Sequence, residues 1–93
     1  MHLGSGASVD SVRSAVRNSL MRAKKAEITS ISFPAIGTGV GGLSLEACAA
    51  VSIEEARNHL AGETTLKEVR FVLWGDEAYG IFLKEYDRLL PET

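Results

Sequence analysis

Apolar residues recur along the chain first at helical and then at strand spacing, and the two periods alternate to its end. Val9, Val12, Val16, Leu20 and Ala23 fall on one stripe at three- and four-residue steps, which predicts a helix over roughly residues 9–26. Ser8 stands where a capping hydroxyl is needed, and Asp10 in the first turn complements the helix dipole. Arg13, Arg17, Arg22, Lys24 and Lys25 are read as a charged, solvated helix face. Residues 28–36, ITSISFPAI, read as a strand rich in β-branched side chains. Ile28, Ser30, Ser32 and Pro34 share one face of it, and Thr29, Ile31, Phe33 and Ala35 share the other. Pro34 cannot donate to a sheet ladder, so the strand is expected to fray there.

Helical spacing returns from Ser44 to about Leu60. Ser44 is the expected cap, Glu46 favours the dipole, and Leu45, Ala49, Ile53, Ala56 and Leu60 form the apolar stripe. Residues 67–74, KEVRFVLW, predict a second strand, with Val69, Phe71 and Leu73 alternating against Arg70, Val72 and Trp74. Because Val72 and Trp74 are also apolar, this strand is expected to be covered on both faces, as in a parallel sheet. A third helix is predicted from Gly75 or Asp76 to about Leu90, with Tyr79, Phe82, Tyr86 and Leu89 on one face and Pro91 as its stop. The order α-β-α-β-α has a βαβ unit at its centre, which implies a right-handed crossover between parallel strands and an α/β fold. Two strands make a marginal sheet, so the pattern asks for more strands than these residues contain. No repeat or linker divides the chain, and residues 1–93 read as one unit, with 1–8 a flexible lead-in and 9–93 ordered.

Between the first strand and the second helix lies the densest glycine cluster in the sequence, Gly37-Thr38-Gly39-Val40-Gly41-Gly42. Glycines permit positive φ and close approach of a ligand. A helix start adds unpaired N–H groups and about half a positive charge. Strand, glycine turn and helix in that order make an anion site, with phosphate or diphosphate as the natural occupant; the alternative is a tight turn that needs glycine for geometry alone. Gly37 and Gly42 have P-loop spacing, but Leu43 and Ser44 stand where Lys and Ser/Thr are required, which argues against nucleoside triphosphate hydrolysis. Gly37-x-Gly39-x-x-Gly42 also matches the dinucleotide fingerprint. That motif expects an acidic ribose ligand ~20 residues on, at the end of the next strand. Glu63 precedes the strand, and Asp76 and Glu77 lie too far along, so a nicotinamide or flavin module is the weaker reading.

Composition narrows the partners. The 93 residues are 45% hydrophobic, and ten Lys+Arg against twelve Asp+Glu leave a formal charge of −2. That balance lacks the clustered positive charge on which general nucleic-acid binding relies. No apolar run approaches the ~20 residues of a membrane helix, and no signal peptide is visible at MHLGSGASVD. One Cys excludes an intrachain disulfide and an all-Cys metal site, and makes a reducing cytoplasm the expected compartment.

The segment SFPAIGTGVGGLSLEACAA resembles the macro domain, an ADP-ribose-binding α/β fold, whose strand runs into a Phe-Pro-Ala-Ile-Ser/Gly-Thr-Gly motif, a glycine loop and a helix. Arg17-Asn-Ser-Leu in the preceding helix and the closing KEVRFVLWGDEAYGIFLKEYDRLL extend the resemblance over nearly the whole chain, which corresponds to the C-terminal half of the family's domain. It implies a truncated three-layer α/β/α architecture. It also implies a loop of Gly37, Thr38, Gly39, Val40, Gly41 and Gly42 wrapped around the diphosphate and proximal ribose of ADP-ribose or a derivative. Trp74 matches a position where some relatives place an aromatic ring against adenine; core packing is the alternative. The family's early Asp, its Asn-Ala-Ala-Asn stretch and its distal-ribose loop have no counterpart here, and hydrolytic members keep much of their catalytic machinery in that half. Activity on ADP-ribose derivatives is therefore expected only of a complete domain. No cofactor and no metal is implied. The rival reading is a structural half-domain that pairs its sheet edge and apolar faces with another copy or with an N-terminal partner.

The remaining chemistry-bearing residues have simpler readings. Cys48 is expected to be a small buried apolar residue, and His59 to sit at the surface near a helix end. Ser32 and Pro34 are read as structural, Glu54-Glu55 as a solvated face and Asp76-Glu77 as a helix start. His2 and His59 do not make a metal-ligand spacing.

Overall fold

The computed structural model describes residues 8–38 and 42–89. The expectations for the first seven residues, for Gly39, Val40 and Gly41, and for Leu90 and Pro91 lie outside them. Helix α1 spans Val9–Lys25. Ser8 and Ser11 exchange side-chain to backbone hydrogen bonds at 2.9 and 3.1 Å, a capping box that satisfies two orphan N–H groups. At the other end Glu27 adopts a φ of 59°, Ile28 N–H reaches Ala23 O, and Glu27 N–H reaches Lys24 O, each at 3.0 Å. This is a Schellman closure built without glycine. Val12, Val16, Leu20 and Ala23 are buried, as their spacing predicts, whereas Val9 is exposed.

Strand β1, Ser30–Phe33, is shorter than predicted and stops immediately before Pro34, where the ladder loses its donor. Strand β2, Glu68–Phe71, pairs with it in parallel, Ile31 opposite Val69 and Phe33 opposite Phe71. One hydrogen bond continues past the strand ends, from Val72 N–H to Phe33 O at 2.8 Å. Between the strands, helix α2 spans Leu45–Leu60 and helix α3, Gly75–Leu89, follows β2. The central βαβ unit is thus present.

All three helices lie on one face of the sheet, with α2 between α1 and α3. Val12, Val16 and Leu20 pack with Phe33, Val51 and Leu66, joined by Ile31 and Val69. On the far side Cys48, Ala49 and Ile53 pack with Phe82, joined by Phe71 and Leu73. The rings of Phe33, Phe71 and Phe82 form a chain, centroids 6.1 and 5.5 Å apart, that ties both strands to α3. The molecule is a slab of 35 × 33 × 19 Å, thin enough for one helical layer on one sheet. Of a three-layer α/β/α arrangement, the described residues supply the sheet and the helical layer on one side.

Several burial expectations need correction. Val72 is 52% exposed and Trp74 88% exposed, so β2 is covered on one face only, and Trp74 is not a core residue. The open face carries Ser30, Ser32, Glu68 and Arg70, the last two joined by an ion pair at 2.9 Å. On α2 the buried set is broader than the predicted stripe because two helices flank it: Cys48, Val51, Ser52 and Glu55 are buried, while Leu60 is exposed. On α3 the buried positions are Ala78 and Phe82; Tyr79 and Tyr86 are largely exposed.

Candidate functional site

The loop after β1 is closed by its own backbone. Thr38 Oγ1 donates to Ala35 O at 2.9 Å, and Leu43 N–H donates to Gly37 O at 2.9 Å, drawing the two ends of the glycine segment together. Gly37 and Gly42 have φ of 87° and 79°. A side chain at either position would meet the left-handed backbone penalty of about 1–2 kcal/mol. At Gly42 an added Cβ would meet open space, so its constraint is conformational and not one of room. Immediately after this closure α2 begins. Ser44 Oγ accepts from Ala47 N–H at 3.1 Å, and Cys48 N–H bonds to Ser44 O. Helix geometry leaves the N–H groups of Leu45 and Glu46 without intrahelical acceptors.

The closed loop forms one wall of a cleft of ≈ 370 Å³ at the C-terminal edge of the two strands. Pro34, Ala35, Thr38, Leu43 and Leu45 line that wall. Val72, Trp74, Glu77 and Ala78, from the end of β2 and the start of α3, line the cleft as well. Ligands of open parallel sheets bind at this edge because loops and helix starts converge there. A second groove of ≈ 290 Å³, bounded by Ile53, Phe71, Leu73, Tyr79, Phe82 and Tyr86 among others, has no charged side chain in its lining among the described residues.

A separate polar cluster sits where α1 crosses α2. Glu55 is buried, yet both of its carboxylate oxygens are engaged: Arg17 donates to them at 3.0 and 3.1 Å, and Arg13 also pairs with it. Arg13 reaches Glu54 as well, at 2.7 Å. The hydrogen bonds from Arg17, and then from Arg13, hold the Glu55 carboxyl below its ordinary value of 4.5, outweighing the opposing effect of burial. The expectation of a solvated acidic pair is therefore wrong for Glu55, which anchors α1 to α2. Cys48 is fully buried, as expected; burial pushes its thiol pKa up, only partly offset by Ser52 Oγ 3.8 Å away. His59 Nε2 lies 2.8 Å from Thr64 Oγ1. Among the described residues no group of three or more His, Cys, Asp or Glu could hold a metal ion, and no helix is long and apolar enough to cross a membrane.

The sequence matches the family described as Macro domain over residues 1–52, more than half of the chain. The chain belongs to the macro domain family. A protein of Sulfolobus acidocaldarius is 36% identical over 81 residues, 87% of this chain and 44% of that relative. A macro domain-containing protein of Caldanaerobacter subterraneus is 37% identical over 76 residues, 82% of this chain and 43% of its own length. Among solved structures, the Oceanobacillus iheyensis macrodomain with ADP superposes with a TM-score of 0.81 at 27% identity, over 91% of this chain and 44% of that one. The Trypanosoma brucei macrodomain in complex with ADP-ribose gives 0.80 at 28%, over 85% and 34%. The chain thus spans a little under half the length of the curated relatives it matches.

Within this macro domain, Thr38 and Trp74 line one cleft, and Gly37 and Gly42 fix the closure of the loop beside it. Gly39, Val40 and Gly41 lie outside the described residues. Two cleft residues were assigned other parts in the sequence. Pro34 was read as structural, but by ending β1 it also frees the chain to turn into the loop, and its ring lines the cleft. Glu77 was read as a helix start, but it reaches the cleft because α3 begins at the same sheet edge as the glycine loop. The usable signal was its place directly after a parallel strand.

Proposed function

We propose that this macro domain recognises ADP-ribose or a related derivative. The diphosphate and proximal ribose lie along Gly37, Thr38, Gly39, Val40, Gly41 and Gly42, and the adenine rests against Trp74. One observation carries this reading: a single cleft joins the loop closed by Leu43 N–H and Gly37 O, the capped start of α2, and an exposed indole. A diphosphate needs N–H donors and the positive end of a helix dipole. A base needs an accessible aromatic face, and stacking on one contributes about 1–3 kcal/mol. The Trypanosoma brucei and Oceanobacillus iheyensis relatives, solved with ADP-ribose and ADP, support the same ligand class. The proposal is for recognition; Cys48, buried and with its thiol pKa raised, is not poised as a nucleophile. Residues 1–93 act in it as one partial macro-type unit.

Titration calorimetry with ADP-ribose, NAD and inorganic phosphate tests the reading. ADP-ribose should bind tightest. NAD binding more tightly would return the site to the dinucleotide class, and equal binding of phosphate alone would reduce it to an anion site.

The uncovered sheet face favours a second, compatible reading. Val72 and Trp74 stand exposed on it, so this side is proposed to pair with another copy or with a polypeptide supplying the remainder of a macro fold. Sedimentation velocity at micromolar concentration separates the cases, and a compact monomer would count against self-association.

A further inference from the structure

Among the described residues the cleft has one charged side chain in its lining, Glu77. It lies in the first turn of α3, three residues beyond Trp74, and both residues line the cleft. Among the described residues no ion pair engages it. Thr38, Leu43 and Leu45 line the same cleft, where the first N–H groups of α2 present partial positive charge. The lining therefore differs in sign between its sources: the glycine loop and α2 start attract an anion, and the β2 end and α3 start bring an aromatic face and a carboxylate.

Resting on the proposed recognition of ADP-ribose, we infer that Glu77 is a specificity-determining residue. It admits an adenosine end with free ribose hydroxyls and rejects one carrying a phosphate monoester. A hydroxyl can donate to a carboxylate, and such charge-assisted hydrogen bonds are the stronger kind. A phosphate monoester cannot donate in its ionised form and brings about −1.5 to −2 charges towards Glu77. Repulsion between like charges a few ångströms apart in a partly screened cleft is worth on the order of tenfold in affinity, and it weakens as salt rises. The diphosphate escapes this penalty because it binds at the glycine loop and the start of α2, while the adenosine ribose spans from that loop to the adenine on Trp74 and turns its hydroxyls towards Glu77.

The test compares ADP-ribose with ADP-ribose bearing a 2′-phosphate on its adenosine ribose, titrated at low and high salt into four proteins: the native chain, Glu77→Gln, Glu77→Lys and Asp76→Asn. Asp76 shares the first turn of α3 but does not line the cleft, so it controls for loss of charge at a helix start. Circular dichroism confirms that each variant folds. The native chain should prefer the unphosphorylated ligand by about tenfold at low salt and by less at high salt. Glu77→Gln should bring the ratio within about twofold, Glu77→Lys should reverse it, and Asp76→Asn should keep it. ADP-ribose binding with no discrimination in the native chain, or with a ratio unchanged in Glu77→Gln, overturns this inference alone. Absence of any ADP-ribose binding overturns the proposed function and this inference with it.

Discussion

The flank of α2 that meets α1 and the end of α2 that meets the glycine loop are both polar, but they dispose of their polar groups differently. At the flank, Glu55 is 4% exposed and both its oxygens are taken up by arginines of α1. Its charge is internally balanced and its hydrogen bonds are spent within the fold. At the end, the described part of the loop is closed by Leu43 N–H on Gly37 O, and helix geometry leaves the N–H groups of Leu45 and Glu46 without intrahelical acceptors. A conspicuous charged cluster is therefore structural, and a segment with no charged residue in its loop is the candidate for binding. What separates them is whether the donors and acceptors already have partners within the chain.

The sharpest way to break this contrast is at Gly42. Gly42→Val places a β-branched side chain at a φ of 79°. The loop should open or twist, and ADP-ribose affinity should fall by about 100-fold or more, beyond the ~1–2 kcal/mol of backbone strain itself. Thermal unfolding measured in parallel should show a small loss. A variant that loses stability but keeps its affinity would mean that the loop is only a turn.

Glu55→Ala should do the reverse, destabilising the chain and sparing the ligand. Breaking a fully buried pair costs about 3–5 kcal/mol. Here Arg17 is 60% exposed and can be solvated once its partner is gone, so about 2 kcal/mol is expected in urea unfolding. ADP-ribose affinity, measured where both proteins are folded, should be unchanged.

Trp74→Ala gives a smaller effect of the binding type. Because the indole is 88% exposed, stability should stay within about 0.5 kcal/mol. Affinity should fall by roughly tenfold, the size of one lost base–aromatic stack. No loss of affinity would remove Trp74 from the site.

The mildest test uses acid. Glu55 has a folded pKa held below its ordinary 4.5, so its contribution to stability is complete above about that pH. It is lost as pH falls through the depressed folded value. Melting temperature should decline more steeply below about pH 4.5 in the native chain than in Glu55→Gln, where no carboxyl titrates at that position. Equal slopes would deny the pair its role.

Much of this fold was legible as local pattern. Ser8 and Ser44 cap the helices expected of them, and Pro34 ends β1 where its missing N–H requires. The βαβ order gave parallel pairing, and the glycine loop drew notice because its position after a strand and before a helix has a physical use. What the sequence hid was long-range. The partners of Glu55 lie 38 and 42 residues away, so its acidic neighbour Glu54 made the pair look solvated. Alternation in β2 could show that both faces were apolar near Val72 and Trp74, but not that only one would be covered. The width of the buried surface of α2 followed from α1 and α3 packing on its two flanks, which no single-helix stripe can report. Glu77 became a cleft residue only when α3 was seen to start beside the loop.

The contrast between the ion-paired flank of α2 and its helix start is tested most directly by titrating ADP-ribose into isotope-labelled protein and following each amide by NMR. The account predicts saturable shifts at Thr38, Gly42, Leu45 and Glu46 and at the Trp74 indole, while Arg13, Arg17 and Glu55 stay still. Shifts centred on the Arg13–Arg17–Glu55 cluster, with the loop and Trp74 unmoved, would contradict it.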